Sequence, residues 1–200
     1  MQDISVFEAA QFIRQDLVKI FHSTIESSIS TLKIRMDPEI EQEIRERIAA
    51  SMFDEMVNDE PMVPYLAVWE DGADKIAHAY MSPKIENLCG YTPQELAQIG
   101  YINIVRGDII SFYREENGIE EKVNPIREAQ AKRVAGFLEN RNWEGCYKIQ
   151  KKSGAHAWVI DRATITRFRN TVSGSIICLS AGILLETTEL LERREKGGTK

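Results

Sequence analysis

Ser175-Ile176-Ile177-Cys178-Leu179-Ser180-Ala181-Gly182-Ile183-Leu184-Leu185 is apolar at odd and even positions alike, interrupted only by Ser180 and Gly182. A strand with one wet face would alternate, so this doubly apolar segment belongs in a sheet centre with both sides covered. The turn Arg169-Asn170-Thr171 precedes it. Before that turn, strand-like runs at 143–150 and 157–168 flank Lys151-Lys152-Ser153-Gly154, where Gly154 can take the positive φ of a hairpin connection. The last third therefore reads as three antiparallel strands.

The runs 65–69 and 76–81, joined by the turn-like 70–74, read as a further hairpin. Short helices are expected at 83–88 and 93–98, the second capped by Thr92 with Glu95 three residues on. A longer helix is expected at 125–140, with Pro125 at its first position. Asn58-Asp59-Glu60-Pro61 marks a domain boundary, since proline lacks a backbone donor and restricts the residue before it. Upstream, the apolar residues of 6–36 recur at steps of three and four, as in one long helix with its weak point near Ser27-Ser28. Asp37-Pro38 supplies an N-cap and an N1 proline for a second helix striped by Ile40, Ile44, Ile48, Met52 and Met56. The two helices suit a hairpin or a dimerising surface.

With 43% hydrophobic and 28% charged residues the composition is globular. A net charge of -6 gives no attraction for nucleic acid or an anionic membrane, so neither is an expected partner. Three widely spaced cysteines with no Cys-x-x-Cys, no Asn-x-Ser/Thr acceptor and no signal-peptide start fit a reducing cytoplasm. The apolar run 176–185 is about half of the ~20 residues needed to span a bilayer.

Ser82, Ile85, Leu88, Gly90-Tyr91-Thr92-Pro93 and Glu95-Leu96 resemble the pattern of the PAS family. So do Trp143-Glu144-Gly145, Lys152-Ser153-Gly154, Ala157-Trp158-Val159 and the closing Leu185-Glu186-Thr187-Thr188-Glu189. Ile104-Val105-Arg106-Gly107-Asp108-Ile109 departs from the family pattern at three positions. The resemblance covers about residues 64–193. It implies an α+β fold with a five-stranded antiparallel sheet and short flanking helices, preceded here by the helical hairpin. The expected divisions are 1–60 for the extension, 61–186 for the PAS domain and 187–200 for a signalling-type helix and tail.

The resemblance also implies a non-catalytic sensory module that binds a small ligand or a partner and relays the change through terminal helices and a homodimer. The family fold turns Leu88, Tyr91, Ile104, Phe137, Tyr147, Ile165 and Cys178 inward as pocket candidates. No carboxylate or histidine converges on them in the sequence, so the ligand is expected to be apolar or uncharged. Glu186, Thr187, Thr188 and Glu189 are the relay candidates. Phe7, Ile13, Leu17, Ile20, Ile40, Ile44, Ile48 and Met52 are the dimer-interface candidates, with covering of the chain's own sheet as the competing use.

No catalytic motif and no metal-ligand spacing is present. Leu88-Cys89-Gly90-Tyr91 stands where flavin-thiol photoreceptors carry Asn-Cys-Arg-Phe, and 125–140 holds no histidine for haem, so no cofactor is expected. Asp161-Arg162 reads as a surface pair or sheet-edge bridge. Two rival readings stay open: a cofactor-binding (haem or flavin) sensor or enzyme, and a structural dimerisation adaptor with a filled pocket. A separate output protein is a further expected partner.

Overall fold

Both faces of strand β7 (Ile176–Glu186) are covered. Ile177 and Leu179 belong to one apolar cluster, Cys178 and Leu184 to another, and each is at most 1% exposed. The structure is a computed structural model that describes residues 16–73, 76–115, 118–125 and 143–189. Its antiparallel sheet also contains β1 (Val63–Glu70), β2 (Ala77–Met81), β3 (Val105–Glu115), β4 (Gly118–Pro125), β5 (Trp143–Gln150) and β6 (His156–Arg169). The order is β2-β1-β7-β6-β5-β3-β4. Thus β7 lies beside the strand containing Tyr65, which pairs with Gly182.

The five expected strands stand where the sequence places them, and β3 and β4 extend the sheet to seven. That hairpin was not anticipated. The helix expected at 125–140 lies outside the described residues beyond Pro125, which itself ends β4.

The extension forms helices α1 (His22–Leu32) and α2 (Pro38–Val57). Its break falls at Phe21, not at Ser27-Ser28. Both serines stay helical, and their carbonyls accept from Ser30 Oγ at 2.8 Å and Thr31 Oγ1 at 2.7 Å. Asp37 occupies the N-cap of α2, yet its carboxylate does not cap the helix. It accepts instead from Thr171 N at 2.6 Å and Thr171 Oγ1 at 2.7 Å, in the β6–β7 turn. Asn170, fully buried in that turn, donates to the Arg35 carbonyl at 2.7 Å. At the other end, Glu55 of α2 accepts from Tyr80 and, at 2.6 Å, from Ser82. Lys84 reaches the carbonyls of Asn58 at 2.8 Å and Glu60 at 3.0 Å.

Between these two fastenings α2 lies on the sheet. Ile44 and Ile48 are 0% exposed and Ile40 is 4%, packed with Leu66, Val68, Ile177 and Leu179. This corrects the dimer assignment of those three isoleucines: a single chain already buries them, leaving no surface for a partner. Leu17 and Met52 are half-buried against the same cluster, Ile20 is 70% exposed, and Phe7 and Ile13 lie outside the described residues. Large-to-small changes in such a core lose both transfer energy and packing. Ile44→Ala is therefore expected to lower unfolding stability by about 2–4 kcal/mol with no change in oligomer size. Urea melts beside light scattering check this; a smaller particle of unaltered stability would restore the stripe as an interface.

Candidate functional site

The inner face of the sheet collects its polar groups around one carboxylate. On β6, alternation sends Ala157, Val159, Asp161, Ala163 and Ile165 inward and leaves Arg162 exposed, bonded to Glu144 of β5 at 3.0 Å. Asp161 is 1% exposed, so its sequence reading as a surface pair with Arg162 is corrected: neighbours on a strand face opposite ways. Its Oδ1 accepts from the Tyr65 hydroxyl of β1 at 2.6 Å. Its Oδ2 accepts from Trp143 Nε1 at 3.0 Å and the Tyr147 hydroxyl at 3.1 Å, both on β5. Tyr147 also lies 3.3 Å, oxygen to oxygen, from Tyr101 in the 3-10 turn Tyr101–Ile104. Bonds to an ionised acceptor contribute about 1.5–3 kcal/mol each, which offsets the cost of withdrawing the group from water.

Two backbone features allow this assembly. Asp161 stands on β6 and Tyr65 on β1, with β7 between them, so the phenol must cross a strand. It crosses over Gly182. A Cβ there would stand 2.5 Å from Tyr65 Cζ and 2.7 Å from the Arg162 carbonyl oxygen, so only glycine admits the ring. The second feature is a bulge where β1 pairs with β2, in which Leu66 faces Tyr80 and Ala67 faces His78. In a regular strand His78 and Tyr80 would share a face. With the bulge, Tyr80 packs in the outer cluster while the His78 ring lies 5.8 Å from both Tyr65 and Tyr101 inside. A histidine and a carboxylate thus do reach the inner face, contrary to the sequence reading.

Of the pocket candidates, Leu88, Ile104, Tyr147, Ile165 and Cys178 share the inner cluster, Tyr91 packs against it half-buried, and Phe137 lies outside the described residues. Sequence reasoning missed Tyr65, His78, Tyr101, Trp143, Asp161 and Gly182. Burial pushes the Tyr147 phenol well above its ordinary pKa, with the Asp161 charge acting in the same direction. Burial likewise raises Tyr101, so both hydroxyls keep their protons.

The helical side is fastened locally. Helices α3 (Ile85–Cys89) and α4 (Pro93–Ile99) meet at Gly90, and Thr92 and Glu95 form the expected capping box. Lys152, from the β5–β6 connection, bonds to Glu95 at 2.6 Å and to the Cys89 carbonyl at 2.8 Å. Its ammonium holds the Glu95 carboxyl below the usual range. Cys89 donates to the Ile85 carbonyl at 3.2 Å, and burial raises its thiol pKa, the mark of a core cysteine and not a nucleophile. Among the described residues, no group of three His, Cys, Asp or Glu is placed to hold a metal ion. Nor, among them, is any helix long and apolar enough to cross a membrane.

The relay candidates sit where β7 ends. Thr187 N donates to the Trp158 carbonyl at 2.8 Å, and Trp158 N donates to Thr188 Oγ1 at 2.9 Å. Glu186 is bonded to Lys151 at 3.1 Å, and Glu189 is exposed. Trp158 lies three residues before Asp161, so one strand holds both the inner carboxylate and the exit of the chain.

If the Tyr65 crossing holds the central strands, Gly182→Ala should cost about 1–3 kcal/mol through overpacking. Tyr65→Phe should cost about 1.5–3 kcal/mol through the lost bond to Asp161. Chemical denaturation measures both, and two variants as stable as the parent would refute the crossing.

No protein-family model matches the chain, and no curated protein does. Among solved structures, it is similar to an RNA-binding Light-Oxygen-Voltage receptor, with 13% identity, a TM-score of 0.44, and coverage of 74% of this chain but 35% of that one. It is also similar to a sensory box histidine kinase/response regulator from Burkholderia thailandensis E264, at 15% identity and TM-score 0.40 over 72% of this chain and 90% of that one. A Light-Oxygen-Voltage domain studied with a flavin analogue has 12% identity and TM-score 0.38 over 76% and 96%. On its own topology, with strands in the order β2-β1-β7-β6-β5 and small helices between β2 and β3, the chain has a PAS-like fold.

Proposed function

We propose that this chain is a non-catalytic PAS-type sensory module that takes a small ligand at the inner face, or a protein partner, and passes the change to its terminal segments. The observation that carries this reading is the double duty of β6: Asp161 gathers three inner-face donors, while Trp158 holds Thr187 and Thr188. A shift of the ring cluster pulls on the strand that fixes the C-terminal exit. No haem, flavin or zinc is part of the proposal, because the thiol and histidine motifs are missing from the sequence. RNA binding, named for one similar structure, is not carried over to a chain of net charge -6.

A second copy of the chain is the proposed partner, alongside a separate output protein. With the stripe of α2 buried, the contact falls to the open end of the helical hairpin. There Ile20, Met56 and Val57 are 70%, 72% and 58% exposed.

Amide hydrogen exchange tests the relay. In Asp161→Asn, the Thr187 amide should exchange roughly tenfold faster, the equivalent of ~1.4 kcal/mol of lost protection, while α2 keeps its protection. Unchanged exchange at Thr187 would disconnect the inner face from the exit. Visible absorbance of protein purified without added cofactor should be flat above the aromatic band; a stoichiometric chromophore would replace this reading with the cofactor sensor.

A further inference from the structure

The outer face of the sheet is covered by α2 only at β1, β2 and the start of β7, where Leu66, Val68, Ile177 and Leu179 join its cluster. Farther along the same face, Trp158 and Ile160 of β6 and Leu185 of β7 are half-buried and belong to neither apolar cluster. Ile160 and Leu185 are sheet partners, so the three form one strip.

A row of positive charge borders that strip. Arg106 of β3 stands opposite Lys148 of β5, and Lys148 stands opposite Trp158. Like charges directly opposite each other on neighbouring strands cost stability. Among the described residues neither cation meets a carboxylate. Arg106 bonds to Gln150 at 2.7 Å and to the carbonyls of Asn103 at 2.6 Å and Val105 at 2.9 Å. The Lys148 ammonium lies 4.7 Å from the centre of the Trp158 ring. Nearby Lys151 and Lys152 differ, being paired with Glu186 and Glu95. An anion set between Arg106 and Lys148 would replace one repulsion by two attractions.

The complementary character is found at the open end of the helical hairpin. Phe53, Met56 and Val57 share one face of the last turn of α2, at i, i+3 and i+4, and all three are exposed. Asp54 and Asp59 beside them are exposed too, and among the described residues no cation meets either carboxylate. The Lys84 ammonium at that end is held by the backbone carbonyls of Asn58 and Glu60. The two patches do not meet within one chain. Glu55 ties the end of α2 to Tyr80 and Ser82 at β2, and β6 is three strands away, about 14 Å at the usual strand spacing.

We propose that the end of α2 in one copy docks on the outer strip of a second copy, with Asp54 and Asp59 reaching Arg106 and Lys148 while Phe53, Met56 and Val57 cover Trp158, Ile160 and Leu185. This rests on the homodimer reading above and adds to it the surface that receives the exposed helix end. Each copy carries both patches, so a two-fold axis makes the contact twice. The isoleucine stripe of α2 stays buried in its own chain throughout.

Charge reversal on each side tests the pairing, with sedimentation velocity of the full chain reporting mass and circular dichroism reporting the fold. The parent should be a dimer. Arg106→Glu with Lys148→Glu, and separately Asp54→Lys with Asp59→Lys, should each raise the dimer dissociation constant at least about tenfold. An equimolar mixture of the two variants should return to within about threefold of the parent, because reversed row then faces reversed helix end and the native pair is kept. Where a reversal unfolds the chain, Lys148→Gln and Asp59→Asn take its place, each expected to weaken the dimer about threefold. A parent that stays monomeric overturns the homodimer reading and this contact together. A dimeric parent whose variants dimerise as tightly, or a mixture that stays monomeric, overturns the contact while the homodimer stands.

Discussion

The bond from the Tyr65 hydroxyl to Asp161, laid across Gly182, is the constraint around which the sheet is organised. It joins β1 to β6 over the strand between them, adding a side-chain link where backbone ladders alone run from neighbour to neighbour. The same carboxylate takes Trp143 and Tyr147 from β5, so β1, β5 and β6 meet at one acceptor, with β7 passing beneath the Tyr65 ring. Such an arrangement is stable only when complete, because each missing donor exposes a buried charge to an apolar surrounding. The cluster therefore fixes strand positions as well as holding strands together.

The extension is fixed by a comparable logic on the opposite face. Its apolar stripe covers β1, β2 and the start of β7, and polar contacts at both ends of α2 set where the helix lies. Asp37 fastens it to the β6–β7 turn and Glu55 to the end of β2. Hydrogen bonds to Thr171 hold the Asp37 carboxyl below its ordinary range, so the fastening stays charged in neutral and mildly acidic solution. Helix α2 is thus a layer of the domain. An extension that merely awaited a partner would not need buried isoleucines matched to Leu66, Val68 and Leu179.

Much of this was legible in the sequence, and the gaps have physical causes. Both apolar faces of 176–185 were visible, as were the Thr92/Glu95 capping box and the stripe of α2, because each is a local pattern with a fixed period. The Asp161 site was not legible. Its members lie on three strands and a 3-10 turn, and no spacing in the chain reports which strands become neighbours. His78 was hidden by a bulge that turns one strand position against the regular alternation. Gly182 was visible only as an interruption in an apolar run, since its reason is a ring that arrives from residue 65. Asp37 was placed correctly at its helix terminus, but its role as a tertiary fastening depends on a turn more than 130 residues away.

A buried carboxylate surrounded by hydroxyls imposes direction on a network that would otherwise have none. Each phenol could donate either way if the centre were neutral. The charge removes that choice for Tyr65 and Tyr147, which both donate to it. Tyr101 joins through Tyr147, two hydrogen bonds from Asp161, which lies on the strand that three residues earlier holds Thr187 and Thr188. Asp161 and Trp158 belong to one strand, three residues apart, so the inner cluster and the hold on Thr187 and Thr188 share the same backbone.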